Sequence, residues 1–97
     1  MEKYVIKRNG EYKPFESFKI KDAIEKSFKS VNQAFDEFIF ENTINQLDSK
    51  ETWAVEEIQD LILKILFEKQ YIEVMRSFIL YRHTRKMQRE HVEGLNE

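Results

Sequence analysis

The side chains best suited to chemistry in this 97-residue chain are cations, and they gather at its two ends. Near the start stands Lys7-Arg8-Asn9-Gly10, followed by Lys19; near the finish stand Arg82, His83, Arg85, Lys86 and Arg89. Lysine is a point charge and arginine a planar fork of donors, and both bind oxyanions through charge-assisted hydrogen bonds. Lys19 falls in the first turn of an expected helix, where the dipole opposes a cation, so an anion nearby would compensate it. Phosphate could be held there by the lysine and arginine heads together with the helix N-terminus. The pattern is not a P-loop: no glycine-rich run closes on Gly-Lys-Ser/Thr, and the order is strand–turn–strand. The plainer reading makes Lys7, Arg8 and Lys19 surface charges beside a hairpin. It makes the C-terminal basic run the ordinary dipole complement of a helix end.

Catalysis finds little footing. His83 and His91 are eight residues apart and have no partner at ligand spacing; there is no cysteine to supply a thiolate. The carboxylates are many, but none stands in an apolar context that would raise its pKa. This stretch is therefore expected not to be an enzyme by itself and to place no side chain on a metal.

Charge is divided along the chain although the net value is only −2. Residues 1–21 carry six Lys/Arg against three Glu, residues 22–75 five Lys against twelve Asp/Glu, and residues 76–91 five Lys/Arg against one Glu. If the two ends meet in the fold, they form a local positive site on an otherwise acidic body. That favours a small anionic ligand over DNA or RNA, which call for a long basic face. No apolar run approaches the 18 or so residues of a membrane span. The N-terminus lacks a leader pattern, and the expectation is a cytoplasmic protein.

Positioning these groups requires a hairpin and helices. Tyr4 to Arg8 alternates, Asn9-Gly10 signals a two-residue type I′ turn, and Tyr12 to Phe15 returns. Pro14 belongs at an edge or strand end. Ser17 is the expected N-cap of a first helix carrying Ile20, Ala23, Ile24, Phe28 and Val31 on one face. A second helix is expected from about Ala34 to Leu47, with Phe35, Phe38, Ile39 and Ile44 inward, then a polar break over 48–52. The third runs from about Ala54 to Lys69; Ala54 cannot cap it, and Thr52 is the candidate from further back. The fourth runs from about Ile72 to Arg89, with Met75, Phe78, Ile79 and Arg82 aligned. The expected fold is α+β, mainly α: an N-terminal β-hairpin lid packed on a four-helix bundle. Residues 1–90 form the domain, and 91–97, without period, begin a linker to a further domain.

Val5-x-Lys7-Arg8-x-Gly10, then Phe15, then Lys19-Ile20 opening a helix, resembles the ATP-cone domain, as do VEEIQDLI (55–62) and SFILYRHTRK (77–86). The resemblance spans about residues 3 to 89 and implies a non-catalytic regulatory module of a ribonucleotide reductase. Such a module binds ATP or dATP, with Mg2+, as an effector of activity and subunit assembly. By resemblance, Val5 and Ile20 line the adenine pocket under the hairpin, and Phe15 and Glu16 meet the base. Lys7 and Arg8 are the basic pair, and Lys19 is the phosphate-binding lysine. Gln59 stands where relatives often have histidine or an acidic residue near the nucleotide, and Val55 where some have threonine. Arg82 and His83 fall near the basic residue of the last helix. The partners implied are ATP or dATP, the catalytic domain of the same parent chain, and a second copy through self-association, with no nucleic acid and no membrane. The tail REHVEGLNE (89–97) most resembles the lead into an anaerobic ribonucleoside-triphosphate reductase. The departures at Val55 and Gln59 leave a second reading: a helical docking module that has lost its nucleotide, with Phe40, Leu63 and Phe67 as its exposed patch.

Overall fold

Strand alternation near the start and 3.6-residue periodicity thereafter produce seven elements in a computed structural model that describes residues 3–7 and 9–95, with side chains through Gln88. They are β1 (Tyr4–Ile6), β2 (Tyr12–Pro14), α1 (Ser17–Ser30), α2 (Glu37–Leu47), β3 (Thr52–Ala54), α3 (Val55–Glu68) and α4 (Ile72–Leu95). The α+β, mainly helical class is as expected. Arg8 lies outside the described residues.

The hairpin forms with a wider turn than the two-residue type I′ form. That form needs positive φ at both central residues, yet among the described residues only Gly10 in this loop has it, at 87°. The Lys7 N–H donates to the Glu11 carbonyl at 2.8 Å, the Gly10 N–H to the Lys7 carbonyl at 2.9 Å, and the Glu11 N–H to Asn9 Oδ1 at 3.0 Å. Asn9 thus acts through its side chain. Pro14 ends the edge strand β2, opposite Tyr4, where its missing N–H breaks no ladder.

A third strand joins the hairpin. β3 pairs with β1 in parallel, Val5 beside Trp53 and Ile6 beside Ala54, giving the order β2-β1-β3. Residues 52–54 are a strand that runs directly into α3, instead of a polar break giving way to a helix. Three residues are too few to show a period. The Trp53 indole N–H donates to the Leu47 carbonyl at 2.9 Å, pinning β3 to the end of α2, and Lys50 Nζ lies 4.4 Å from its ring centroid.

Below the sheet, α1 and α3 each pack against both α2 and α4. Ile24 and Phe28 of α1, Ile39 and Leu47 of α2, Ile58, Ile62, Ile65 and Leu66 of α3, and Val74 and Phe78 of α4 form the buried core. Phe28 is edge-on to Phe35 and Tyr71 at 5.8 and 5.0 Å between centroids. Two expected inward residues face out: Phe38 is 43% exposed beneath Lys69, whose Nζ is 4.1 Å from its ring centroid, and Ile79 is 46% exposed.

Helix ends also depart from expectation. Ser17 is the first helical residue of α1 and not its cap; Glu16 holds the cap position and makes no side-chain bond there. α2 begins at Glu37, three residues later than the pattern implies, because Asp36 caps it through the Phe38 N–H at 3.0 Å. α1 and α3 stop without glycine: Asn32 (φ 56°) and Gln70 (φ 64°) take the left-handed position. Gln33 N–H then reaches back to the Phe28 carbonyl and Tyr71 N–H to the Leu66 carbonyl, the Schellman arrangement. The backbone of α4 stays helical through Leu95 although its apolar period is lost earlier.

Asp36 has a second task. Its other carboxylate oxygen accepts from the Tyr71 hydroxyl at 2.7 Å, joining the start of α2 to the start of α4 and raising the Tyr71 pKa. Asp36→Ala is expected to lower unfolding stability in urea by about 0.5–2 kcal/mol, the worth of a lost N-cap. Tyr71→Phe should cost about 0.5–1.5 kcal/mol, and the double variant less than the sum, because both changes remove one shared bond.

Candidate functional site

β1 and β3 end side by side, and α3 starts where β3 stops. Between them lies a cleft of about 270 Å³ lined by Ile6, Lys7, Ala54, Val55 and Glu56. Lys7 and Val55, far apart in sequence, are thereby brought to one place. Val5, one residue earlier in β1, is half-buried and packed on the core with Ile20 and Phe15. The Lys3 ammonium lies 5.9 Å from the Phe15 ring centroid.

The α1 N-terminus carries no side-chain cap and no acidic residue in its first turn. It offers amide donors and a positive dipole end. Lys19 sits in that turn, and the compensating anion is internal: Glu16 Oε2 lies 3.1 Å from its Nζ. Both side chains are largely exposed.

On α3, residues four apart share a face, so Gln59 stands one turn beyond Val55 and Asp60 one turn beyond Glu56. Gln59 Oε1 is buried and has no hydrogen-bond partner among the described residues. An acceptor left so is costly, by about 1–3 kcal/mol, unless water or a ligand donates to it. Arg82 of α4 is half-buried and donates from Nη1 to Asp60 Oδ1 at 2.7 Å. His83, the next residue, is exposed.

A larger hollow, about 580 Å³, opens elsewhere, along the C-terminal half of α1 and the loop after it. It includes none of the expected site residues. Asp22 and Glu25 share its wall with Lys26 and Lys29. Lys26 is already bound to Asp22 at 2.9 Å, and that bond raises its pKa. The smaller cleft carries one cation, Lys7, and one carboxylate, Glu56, and it is the one that brings expected site residues, Lys7 and Val55, together. Ile6, Ala54, Glu56 and Asp60 were not among the expected site residues. The parallel strand that gathers the first three left no sequence signal, and Asp60 is one of many acidic residues on a helix surface.

The ATP cone domain model matches residues 3–87. The chain belongs to the ATP-cone family. Over 96% of its length this ATP-cone is 38% identical to the vitamin B12-dependent ribonucleoside-diphosphate reductase of Thermoplasma acidophilum. Over its whole length it is 31% identical to the anaerobic ribonucleoside-triphosphate reductase of Salmonella typhimurium. Over 89% it is 24% identical to the ribonucleoside-diphosphate reductase subunit alpha of Chlamydia muridarum. It spans only 13%, 14% and 10% of those three relatives. Anaerobic reductases are thus among the similar proteins, alongside reductases of two other descriptions.

The start of α3, which forms one wall of the cleft, is held by a carboxylate. Ala54 cannot cap with its side chain; instead its N–H donates to Glu57 Oε1 at 2.9 Å, while Lys50 binds Glu57 Oε2 at 2.9 Å. The Ala54 bond first, then Lys50, holds the Glu57 carboxyl below its ordinary value of 4.5. A depressed folded-state pKa means that this stabilisation is present above the ordinary value and fades as pH falls through the lowered one. Glu57→Gln should therefore lower the urea midpoint at neutral pH, and the gap from wild type should narrow on acidification below that ordinary value.

Proposed function

We propose that this ATP-cone is a non-catalytic allosteric module that binds ATP or dATP and sets the activity and subunit assembly of a ribonucleotide reductase. The family match over 3–87 carries this reading. The domain is then residues 1–90, with 91–97 leading to the catalytic domain of a longer cytoplasmic chain that makes deoxyribonucleotides. The similar reductases, of which this chain spans only a small part, support that context. Since they differ in kind, the parent is assigned as a ribonucleotide reductase, with the anaerobic triphosphate enzyme favoured by the tail.

In this reading the adenine lies under the hairpin against Val5 and Ile20, with Phe15 and Glu16 at its edge. Lys7 and Arg8 from the turn and Lys19 at the open end of α1 face the phosphates, and Arg82 with His83 approaches from α4. Val55 forms the wall beside Lys7. Gln59 supplies the buried acceptor: adenine's amino group and the sugar hydroxyls are donors that would satisfy it. Magnesium comes with the triphosphate, whose oxygens are its natural ligands. Among the described residues no three His, Cys, Asp or Glu are grouped to hold a metal.

The effect on the parent enzyme is bounded by linkage: nucleotide shifts assembly by no more than its differential affinity for the two states. The docking reading is weakened at two of its three residues, because Phe40 and Leu63 pack on the core. Phe67 remains, 61% exposed, and Leu80 on α4 is 65% exposed.

Calorimetric titration with MgATP and MgdATP tests the proposal. Micromolar binding, about −8 kcal/mol, is expected, together with a rise in melting temperature. No heat and no melting shift at millimolar nucleotide would overturn it in favour of docking. Lys19→Ala should weaken binding by about 1.5–3 kcal/mol, the range for hydrogen bonds to charged groups; unchanged affinity would remove Lys19 from the site.

A further inference from the structure

Lys19 and Arg82, both assigned to the triphosphate, are each already paired with a carboxylate of the same chain, Lys19 with Glu16 and Arg82 with Asp60. The second pair is the more telling. Glu16 is three residues from Lys19, so their contact follows from local helix geometry. Asp60 and Arg82 are 22 residues apart on different helices, and their 2.7 Å contact is a tertiary one. It lies about 6 Å along α3 from Glu56, the acidic wall of the cleft, at the helix rise of 1.5 Å per residue. The Arg82 side chain is 26% exposed and the Asp60 side chain 68%. The guanidinium is thus partly sheltered, and the carboxylate that holds it is mostly in water.

We infer that Asp60 is a built-in competitor for Arg82: it holds the guanidinium and yields it to the nucleotide's phosphates. This rests on the proposed nucleotide site. A carboxylate and a phosphate present the same kind of oxygen pair to an arginine fork. Exchange is cheap on the side of Asp60, because a carboxylate so exposed is solvated by water when its partner leaves; a buried one would block the exchange. Exchange is also incomplete gain, since each new phosphate contact replaces an existing ion pair. Asp60 therefore sets the module's affinity below what its cations alone would give, and so raises the effector concentration at which it responds. Exposed pairs are worth little, so the setting is a modest one.

The test is a double-variant cycle read by calorimetry with MgATP on the purified chain, using Asp60→Asn, Arg82→Gln and the two combined, each checked by circular dichroism. Asp60→Asn should bind about two- to five-fold more tightly, the range that release of an exposed ion pair allows. The gain should vanish in the Arg82→Gln background, because there the group to be released is gone. Asp60→Ser serves as a second variant with the same expectation. Equal or weaker binding by Asp60→Asn, or a gain that persists with Arg82→Gln, overturns the competitor role while leaving nucleotide binding standing; persistence would assign the gain to simple loss of negative charge. No heat from any variant would overturn both this inference and the site on which it rests.

Discussion

The parallel pairing of β1 with β3 is the constraint on which the rest of this molecule depends. A two-stranded hairpin alone is marginal in water, and β2 is exposed along its whole length. β3 gives β1 a second neighbour and, because it runs straight into α3, locks the hairpin to the N-terminus of that helix. Trp53 fastens β3 from the other side, to the end of α2. Without that register Lys7 and Val55 would share no cleft, and the basic turn would have no acidic wall opposite it.

This acidic chain holds several of its cations on carboxylates within the fold. Lys3, Lys19 and Arg82 come from the basic ends of the sequence, and Lys50 from its acidic middle. Lys3 meets Asp48, Lys19 meets Glu16, Lys50 meets Glu57 and Arg82 meets Asp60. None of these pairs adds much stability at an exposed surface. They do hold long flexible side chains near one geometry, which lowers the entropy lost when a ligand takes them up.

Much of this was legible in advance, for physical reasons. The four helices announce themselves by period, since a buried face repeats every three or four residues; Ile58, Ile62, Ile65 and Leu66 are the clearest case. The hairpin was legible from Asn9-Gly10, but its turn type was not, because an Asn side chain bonding to the Glu11 N–H can replace a strained Asn backbone. Helix limits were obscured where unusual residues did the work. Asp36 starts α2 in place of an earlier residue, and Asn32 and Gln70 end α1 and α3 where glycine is the usual signal. β3 is too short to show alternation. Of the expected site, residue types pointed to the basic turn, to Lys19 and to the basic run of the last helix, while the family resemblance supplied Val55, Gln59 and the roles of the others. The Asp60–Arg82 contact is a matter of helix packing, and no pattern along the chain records it.

Trp53 is the sole tryptophan of the chain. It sits in β3 directly beside Val5 of the hairpin, with its indole N–H tied to α2 and a lysine ammonium over its ring. Indole emission responds to nearby charge and to the loss of a hydrogen bond. Any shift of the hairpin against the helices must alter at least one of those surroundings. The module therefore carries its own optical probe at the seam between lid and bundle, and its motions can be followed in real time with no label attached.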